Sequence, residues 1–165
     1  MSADVKNPAD IEHRLWDEIE RHQVGMLMLV GGSPQHAQPM TAFVERDRRR
    51  IWFFTRTDTE LAKQVGIGQR AMFAFQQRDL QACLSGQLHL QHDRERMDKF
   101  WNAVVAAWRP EGKKDPRLTL LSMDCEDADV WVSNAGPVKF AWEIAKANAT
   151  RHPPDLGGRT HLDFH

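Results

Sequence analysis

The 165 residues, 41% of them hydrophobic, are enough for one domain with its own core. The formal net charge of −1 gives no overall field that would attract nucleic acid, and no apolar run reaches the roughly 20 residues needed to cross a bilayer. We therefore expect a globular protein that binds neither nucleic acid nor membrane and, with no apolar leader near Met1, is cytoplasmic.

The first fifty residues predict one helix and two strands. An apolar stripe at helical spacing predicts a helix that Asp10 caps and that ends near His22. The continuously apolar residues 24–30 predict a buried strand, and residues 38–44 predict a second strand that returns beside it. Four arginines lie within residues 45–50, but interleaved acids favour a solvated turn over a nucleic-acid patch.

The stretch after this turn predicts a strand, a tight corner and a helix. Residues 51–54 are β-branched or aromatic, as is typical of a strand, and Thr59 can cap the helix that follows. The hydroxyls of Thr55 and Thr59, the first helical amides and the side chains of Arg56 and Lys63 could together bind a phosphate. The same pattern also fits an ordinary strand-to-helix connection, so both interpretations stay open.

Two further strands are predicted at residues 71–75 and 81–91, with a turn at 76–79. His89 and His92 have a spacing seen in zinc sites, but on a strand they would face opposite sides and no third ligand accompanies them. We therefore predict no metal site.

The next segment predicts a helix, a connection and a short strand. Asp93 can cap an amphipathic helix that continues to Trp108. A short turn or helix over residues 115–121, an acidic loop over 124–129 and a sixth strand over 130–132 are predicted to follow.

The end of the chain predicts a last helix over residues 138–147 and a tail with little to bury. We therefore expect one domain over residues 1–148 and a tail over 149–165. With no sign of export, Cys83 and Cys125 are expected to be reduced thiols without a catalytic role.

This order of elements predicts a mainly β, α+β fold in which six antiparallel strands curl into a small barrel with flanking helices. The chain resembles the FMN-binding split barrels of the pyridoxamine-phosphate-oxidase type, and most closely their general-stress-protein branch. The resemblance covers nearly the whole chain and rests on these segments: Gln38-Pro39-Met40-Thr41, Trp52-Phe53-Phe54-Thr55, Ser85-Gly86-Gln87, Trp101 with Asp115-Pro116, and Trp131.

The resemblance implies a homodimer that holds two flavins at its interface, with FMN as the expected cofactor and FAD as the alternative. The strand that carries Gln38, Pro39 and Met40 would line the isoalloxazine ring. Phe53 and Phe54 would flank the same ring from the next strand.

For the rest of the flavin, the resemblance implies that Thr55 and Thr59 bond the phosphate and that Trp131 approaches from the partner subunit. This chain has Gln38 where the family usually has arginine, and Leu61 where it usually has the phosphate lysine. Arg56 and Lys63 are then the candidate bases, with Arg56 preferred because it lies in the corner itself.

Three functions fit this resemblance. The first is a flavoprotein that uses FMN as a redox cofactor, as an oxidoreductase does; the second is a stress protein that binds or sequesters flavin without turnover. The third is an interaction module that kept the barrel and lost the cofactor, which Gln38 and Leu61 would favour. Because a flavin carries out its own redox chemistry, the missing catalytic triad excludes none of them.

Overall fold

The longest strand of the protein, β7, organises the sheet. In the computed structural model, which describes residues 7–31, 35–66, 68–133, 137–154 and 157–165, β7 spans Leu118–Ser133. The other strands are β1 (Val24–Leu29), β2 (Gln38–Thr41), β3 (Phe43–Glu45), β4 (Arg50–Arg56), β5 (Gln69–Gln76), β6 (Leu80–Gln91) and β8 (Gly157–Asp163). All pairings are antiparallel, in the order β2-β1-β5-β6-β7-β4-β3, with β8 also paired to β7.

The sheet curls into the split barrel that the sequence predicted, with eight strands in place of six. β6 runs along one edge of β7, while β4 pairs with its first half and β8 with its second half. The predicted second strand is divided at Ala42 into β2 and β3.

The described residues form five α-helices beside the sheet: α1 (Pro8–His22), α2 (Glu60–Val65), α3 (Arg94–Phe100), α4 (Ala103–Trp108) and α5 (Pro137–Thr150). Asp10 is not the cap of α1, because Pro8 already occupies the first turn and the Asn7 side chain accepts from the amide of Ala9. Thr59 caps α2 as predicted. The single helix predicted up to Trp108 is wrong, because Asn102 starts a new helix by accepting a bond from the amide of Val105.

The connection predicted over residues 115–121 is a turn only as far as residue 117, and the acidic loop predicted over 124–129 is wrong, because β7 runs from Leu118 through the whole acidic segment. Its acids alternate with buried apolar residues such as Met123, Cys125 and Ala128, so the carboxylates lie on the outer face while the core face stays apolar. Across from β6, Gly86 pairs with Cys125 and Ser85 with Asp127, which leaves Glu126 as the extra residue of a β-bulge.

The C-terminal segment buries more than predicted. β8 pairs with β7 from Asp127 to Ser133, and both Leu162 within β8 and Phe164 just beyond it are buried. The Phe164 ring lies 5.7 Å from that of Trp16 on α1, and its carbonyl accepts a bond from Arg49. This segment therefore closes the core instead of forming a loose tail.

The core divides on β4, whose side chains alternate between two clusters. Ile51 and Phe53 point into the main core inside the barrel, which α1 closes. Trp52 and Phe54 point the other way, into a second cluster with Phe43, β7 and the helices α3 and α4. The alternation follows from the period of two along a strand, and it exposes Phe54, but not Phe53, to a cleft beside the second cluster.

Candidate functional site

A cleft of about 320 Å³ opens between β2, β4 and α4. We call it the apolar cleft, and its lining residues are Val24, Pro39, Met40, Thr41, Phe43, Phe54, Val105, Trp108 and Arg109. Its volume falls at the lower end of the range for small-molecule sites. Its lining is mostly apolar with few polar groups, which is the usual composition of such sites.

Aromatic packing holds the wall of the apolar cleft in place. The Phe54 ring meets Phe43 edge-on at 5.6 Å and Trp101 edge-on at 5.9 Å, both within the range of favourable aromatic pairs. Pro39 and Met40 form the facing wall from β2. Three residues expected to line a flavin ring are therefore brought together: Pro39, Met40 and Phe54.

Two other expected ring contacts lie elsewhere. Phe53 is fully buried in the main core, with its ring 5.4 Å from that of Phe73, so its side chain does not reach the apolar cleft. Gln38 is half-buried on β2, where it pairs with Leu27, and is not among the cleft-lining residues.

Arg109, which sequence reasoning missed, is the charged residue of the apolar cleft. Its Nη2 donates to the Phe54 carbonyl at 3.0 Å, while its buried Nε has no hydrogen-bond partner within the described chain. Burial, followed by the positive charge of Arg56, lowers the pKa of Arg109, while Asp115 and Glu111 act in the opposite direction.

The signal for Arg109 was weak in the sequence. It follows Trp108 directly, and the aromatic spacing of that helix predicted a core stripe. The structure instead leaves Trp108 75% exposed at the rim of the apolar cleft. Only the three-dimensional packing of α4 against β4 brings the guanidinium to the Phe54 carbonyl.

The corner between β4 and α2 brings the two predicted hydroxyls together. Thr55 Oγ1 and Thr59 Oγ1 are 3.2 Å apart, and Thr55 is buried. Thr59 Oγ1 also donates to the Arg56 carbonyl at 2.9 Å and accepts from the Ala62 amide at 3.2 Å. These bonds fix the corner, which neighbours the apolar cleft along β4 without lining it.

The two predicted bases at the corner are both paired with acids. Arg56 binds Asp58 through Nε at 3.1 Å and Nη2 at 2.6 Å, and this hydrogen bonding holds the pKa of Asp58 below its usual value. Lys63 lies 3.6 Å from Glu60 on the solvent-facing side of α2. An anion at the corner would therefore compete with Asp58 for Arg56.

Trp131 lies on a separate, open groove of about 360 Å³ on the outer face of the sheet. The groove includes Met26, Ala74 and Gln81, and it shares Val24 with the apolar cleft. Trp131 is 42% exposed, with the Arg159 guanidinium 5.8 Å from its ring centroid.

Within the described ranges, no group of three or more His, Cys, Asp or Glu residues has an arrangement that could hold a metal ion. His89 lies 3.8 Å from Asp124 as an ion pair across the sheet. None of the described helices is both long and apolar enough to span a membrane.

A curled antiparallel sheet with an apolar cleft beside β4 defines a split-barrel protein. The chain belongs to the pyridoxamine 5'-phosphate oxidase-like family, whose model matches residues 10–155. It is 27% identical to general stress protein 26 of Bacillus subtilis (strain 168) over 135 residues, which cover 79% of this chain and 93% of that protein.

Two solved structures are similar over most of their length. A protein assigned as general stress protein 26 from Jannaschia sp. CCS1 is 35% identical, has a TM-score of 0.78, and matches over 94% of this chain and 99% of its own. The general stress FMN/FAD binding protein of Xanthomonas citri is 37% identical, has a TM-score of 0.71, and matches over 78% of this chain and 92% of its own.

Proposed function

We propose that this protein binds FMN, with the flavin ring in the apolar cleft against Met40 and Phe54. The observation that carries the proposal is the cleft itself, where apolar walls meet the half-buried guanidinium of Arg109. A flavin ring combines a flat aromatic body with a polar edge, so it suits both features. The flavin binding reported in the name of the Xanthomonas citri relative supports the same assignment.

The bound flavin would supply the redox chemistry, and we propose a flavin-dependent oxidoreductase on that basis. The residues of this chain have simpler tasks. The apolar walls exclude water from one part of the ring, and Arg109 can donate to an acceptor on its edge. The lining contains no carboxylate or histidine, so the described cleft serves binding and orientation more than proton transfer.

The phosphate of FMN is proposed to lie at the corner before α2. Thr55, Thr59 and the backbone there offer hydroxyl and amide groups, and Arg56 is the nearest base. Asp58 holds Arg56 in a two-bond pair, so we expect the phosphate to share that guanidinium or displace the carboxylate.

We further propose a homodimer with the flavin at its interface. Large apolar side chains stay exposed in the single chain: Val24, Met26 and Trp131 on the sheet, and Phe140 and Trp142 on α5. Exposed apolar surface of this extent marks an interaction face, and a second copy of the chain would cover it. Sedimentation equilibrium tests this proposal. A monomer at micromolar concentration would refute both the homodimer and a flavin site formed by two subunits.

The main test is a titration of the flavin-free protein with FMN, FAD and riboflavin, followed by flavin fluorescence and the visible spectrum. We expect about one FMN per subunit. A protein that shows no affinity for any flavin up to high micromolar concentration would refute the proposal. The remaining interpretation would then be an interaction module that has lost the cofactor.

Adjacent phenylalanines provide a matched pair for the ring position. Phe54→Leu removes an aromatic wall of the apolar cleft and should weaken FMN binding about 2–10-fold, the worth of one aromatic contact. Phe53→Leu changes a side chain in the main core and should lower stability with little effect on FMN affinity. The reverse pattern would place the ring on the other face of β4.

Three variants at the corner test the phosphate site through the ratio of FMN to riboflavin affinity. Arg56→Ala should lower this ratio about tenfold or more, since a charge-assisted bond is lost. Asp58→Asn should raise it by releasing Arg56, and Lys63→Ala should leave it unchanged. A ratio unaffected by any of them would assign the phosphate to Thr55, Thr59 and backbone amides alone.

A further inference from the structure

The charged group of the apolar cleft has incomplete bonding. Of the Arg109 donors, Nη2 bonds the Phe54 carbonyl, while the buried Nε has no partner within the described chain. No ion pair joins Arg109 to a carboxylate in the described ranges, whereas Arg56 pairs with Asp58 and Arg117 with Asp115. Arg109 therefore differs from its neighbours in keeping its charge without a counterion.

Such a group is costly for the protein to maintain. A buried donor that loses water without gaining a partner destabilises the folded state, and a charged donor does so more strongly. The positive charge of Arg56 adds to this cost, and burial lowers the pKa of Arg109 in the same direction. An anion bound in the cleft would balance the charge of this guanidinium, because Arg109 lines the cleft.

We propose that Arg109 selects the ligand of the apolar cleft, and that this ligand is a flat aromatic ring bearing an anionic acceptor. The ring would pack on Phe54 and Met40, while the acceptor would bond the guanidinium of Arg109, which lines the same cleft. This inference deepens the proposed function, because it concerns the same cleft. The acceptor can belong to a reduced flavin, whose ring can carry a negative charge, or to an aromatic substrate.

The probes are 2-naphthoate and its neutral counterpart 2-naphthamide, which have nearly the same size and shape. Binding to the full-length, flavin-free protein is measured by calorimetry. We expect the wild type to prefer the acid about tenfold or more, the usual worth of a charge-assisted hydrogen bond. Equal affinities for acid and amide would overturn the inference.

Variants assign the preference to Arg109. Arg109→Gln should reduce the acid-to-amide ratio to about one, and Arg109→Lys should reduce it about threefold or more, because lysine lacks the planar fork. Arg117→Gln is the matched control, since it removes an equal charge from an exposed residue outside the cleft lining. Full acid preference in both Arg109 variants, or its equal loss in Arg117→Gln, would contradict the assignment. If Arg109→Gln does not fold, Arg109→Lys decides the question.

Titration of FMN in the presence of saturating 2-naphthoate tests whether the two ligands share the apolar cleft. Competition would mean that the flavin ring and the aromatic acid occupy the same cleft, as both proposals require. Simultaneous binding would mean that the flavin ring lies elsewhere, which would refute the ring position proposed above while leaving this inference intact. Selective binding of 2-naphthoate by a protein that binds no flavin would refute the proposed function while leaving this inference intact.

Discussion

Replacing Phe164, the penultimate residue, tests whether the C-terminus is part of the cooperative core. The side chain is only 8% exposed, its ring lies 5.7 Å from that of Trp16, and the Arg49 guanidinium lies 5.4 Å from its centroid. Removing a buried phenylalanine typically costs about 3–5 kcal/mol, and the remaining exposure of Phe164 favours the lower value. We therefore expect Phe164→Ala to lower the free energy of unfolding by about 3 kcal/mol.

Urea denaturation at one fixed protein concentration measures this loss, which corresponds to a fall in Tm of about 6–12 °C for a chain of this size. His165→Ala is the control, because it changes the exposed neighbouring side chain and should stay within about 0.5 kcal/mol of the wild type. A loss below about 1 kcal/mol in Phe164→Ala would refute the claim that Phe164 belongs to the cooperative core, because removing a packed aromatic ring destabilises a protein by more than that.

Three more predictions follow from the sheet and its side chains. Gly86→Ala should destabilise the protein by about 1–3 kcal/mol, because the new methyl group would overlap the backbone of β7, whereas Gly158→Ala meets open space and should be tolerated in the same denaturation assay. Burial alone would raise the pKa of Glu45. Its hydrogen bonds to the Arg96 guanidinium outweigh burial and hold that pKa below the ordinary 4.5. Its contribution to stability is thus present at neutral pH and lost as the pH falls below about 4.5, so the difference in unfolding free energy between the wild type and Glu45→Gln should shrink between about pH 5 and pH 3. Burial raises the pKa of Cys125, so in a Cys83→Ser background a thiol reagent at pH 8 should label it only as fast as the protein unfolds.

The sequence predicted best where one physical signal was strong. The apolar stripe of α1, the cap at Thr59 and the strand around Phe53 are local patterns, and the structure contains all three. The order of these elements then predicted an antiparallel barrel, and the family resemblance identified it as a split barrel.

Errors arose where two signals competed. The acids of residues 124–129 favoured a loop by composition. Their alternation with Met123, Cys125 and Ala128 is instead typical of a strand with one solvent-exposed face and one buried face. β8 was missed because it follows two prolines and begins with two glycines, while the burial of Phe164 just beyond it depends on Trp16, far away in the sequence.

The candidate site shows the same limit of local information. The order of residues grouped Phe53 with Phe54, but the strand period separates their side chains onto opposite faces. Arg109 could not be assigned from sequence, because its environment is set by the packing of α4 against β4 and not by its neighbours in the chain.

The central place of β7 has a consequence for synthesis of the protein on the ribosome. Phe53 on β4 pairs with Leu121 on β7, so one edge of the apolar strand β4 has no partner until the chain has been made far beyond it. An unpaired apolar edge is a template for pairing with other chains, and such long-range pairings form slowly. Chains that end before β7, whether from stalled translation or from cleavage, are therefore expected to aggregate. Chains that end just after Ser133 should keep the β4 edge covered, but they lose β8 and the packing of Phe164, which leaves the second half of β7 without its partner on that side.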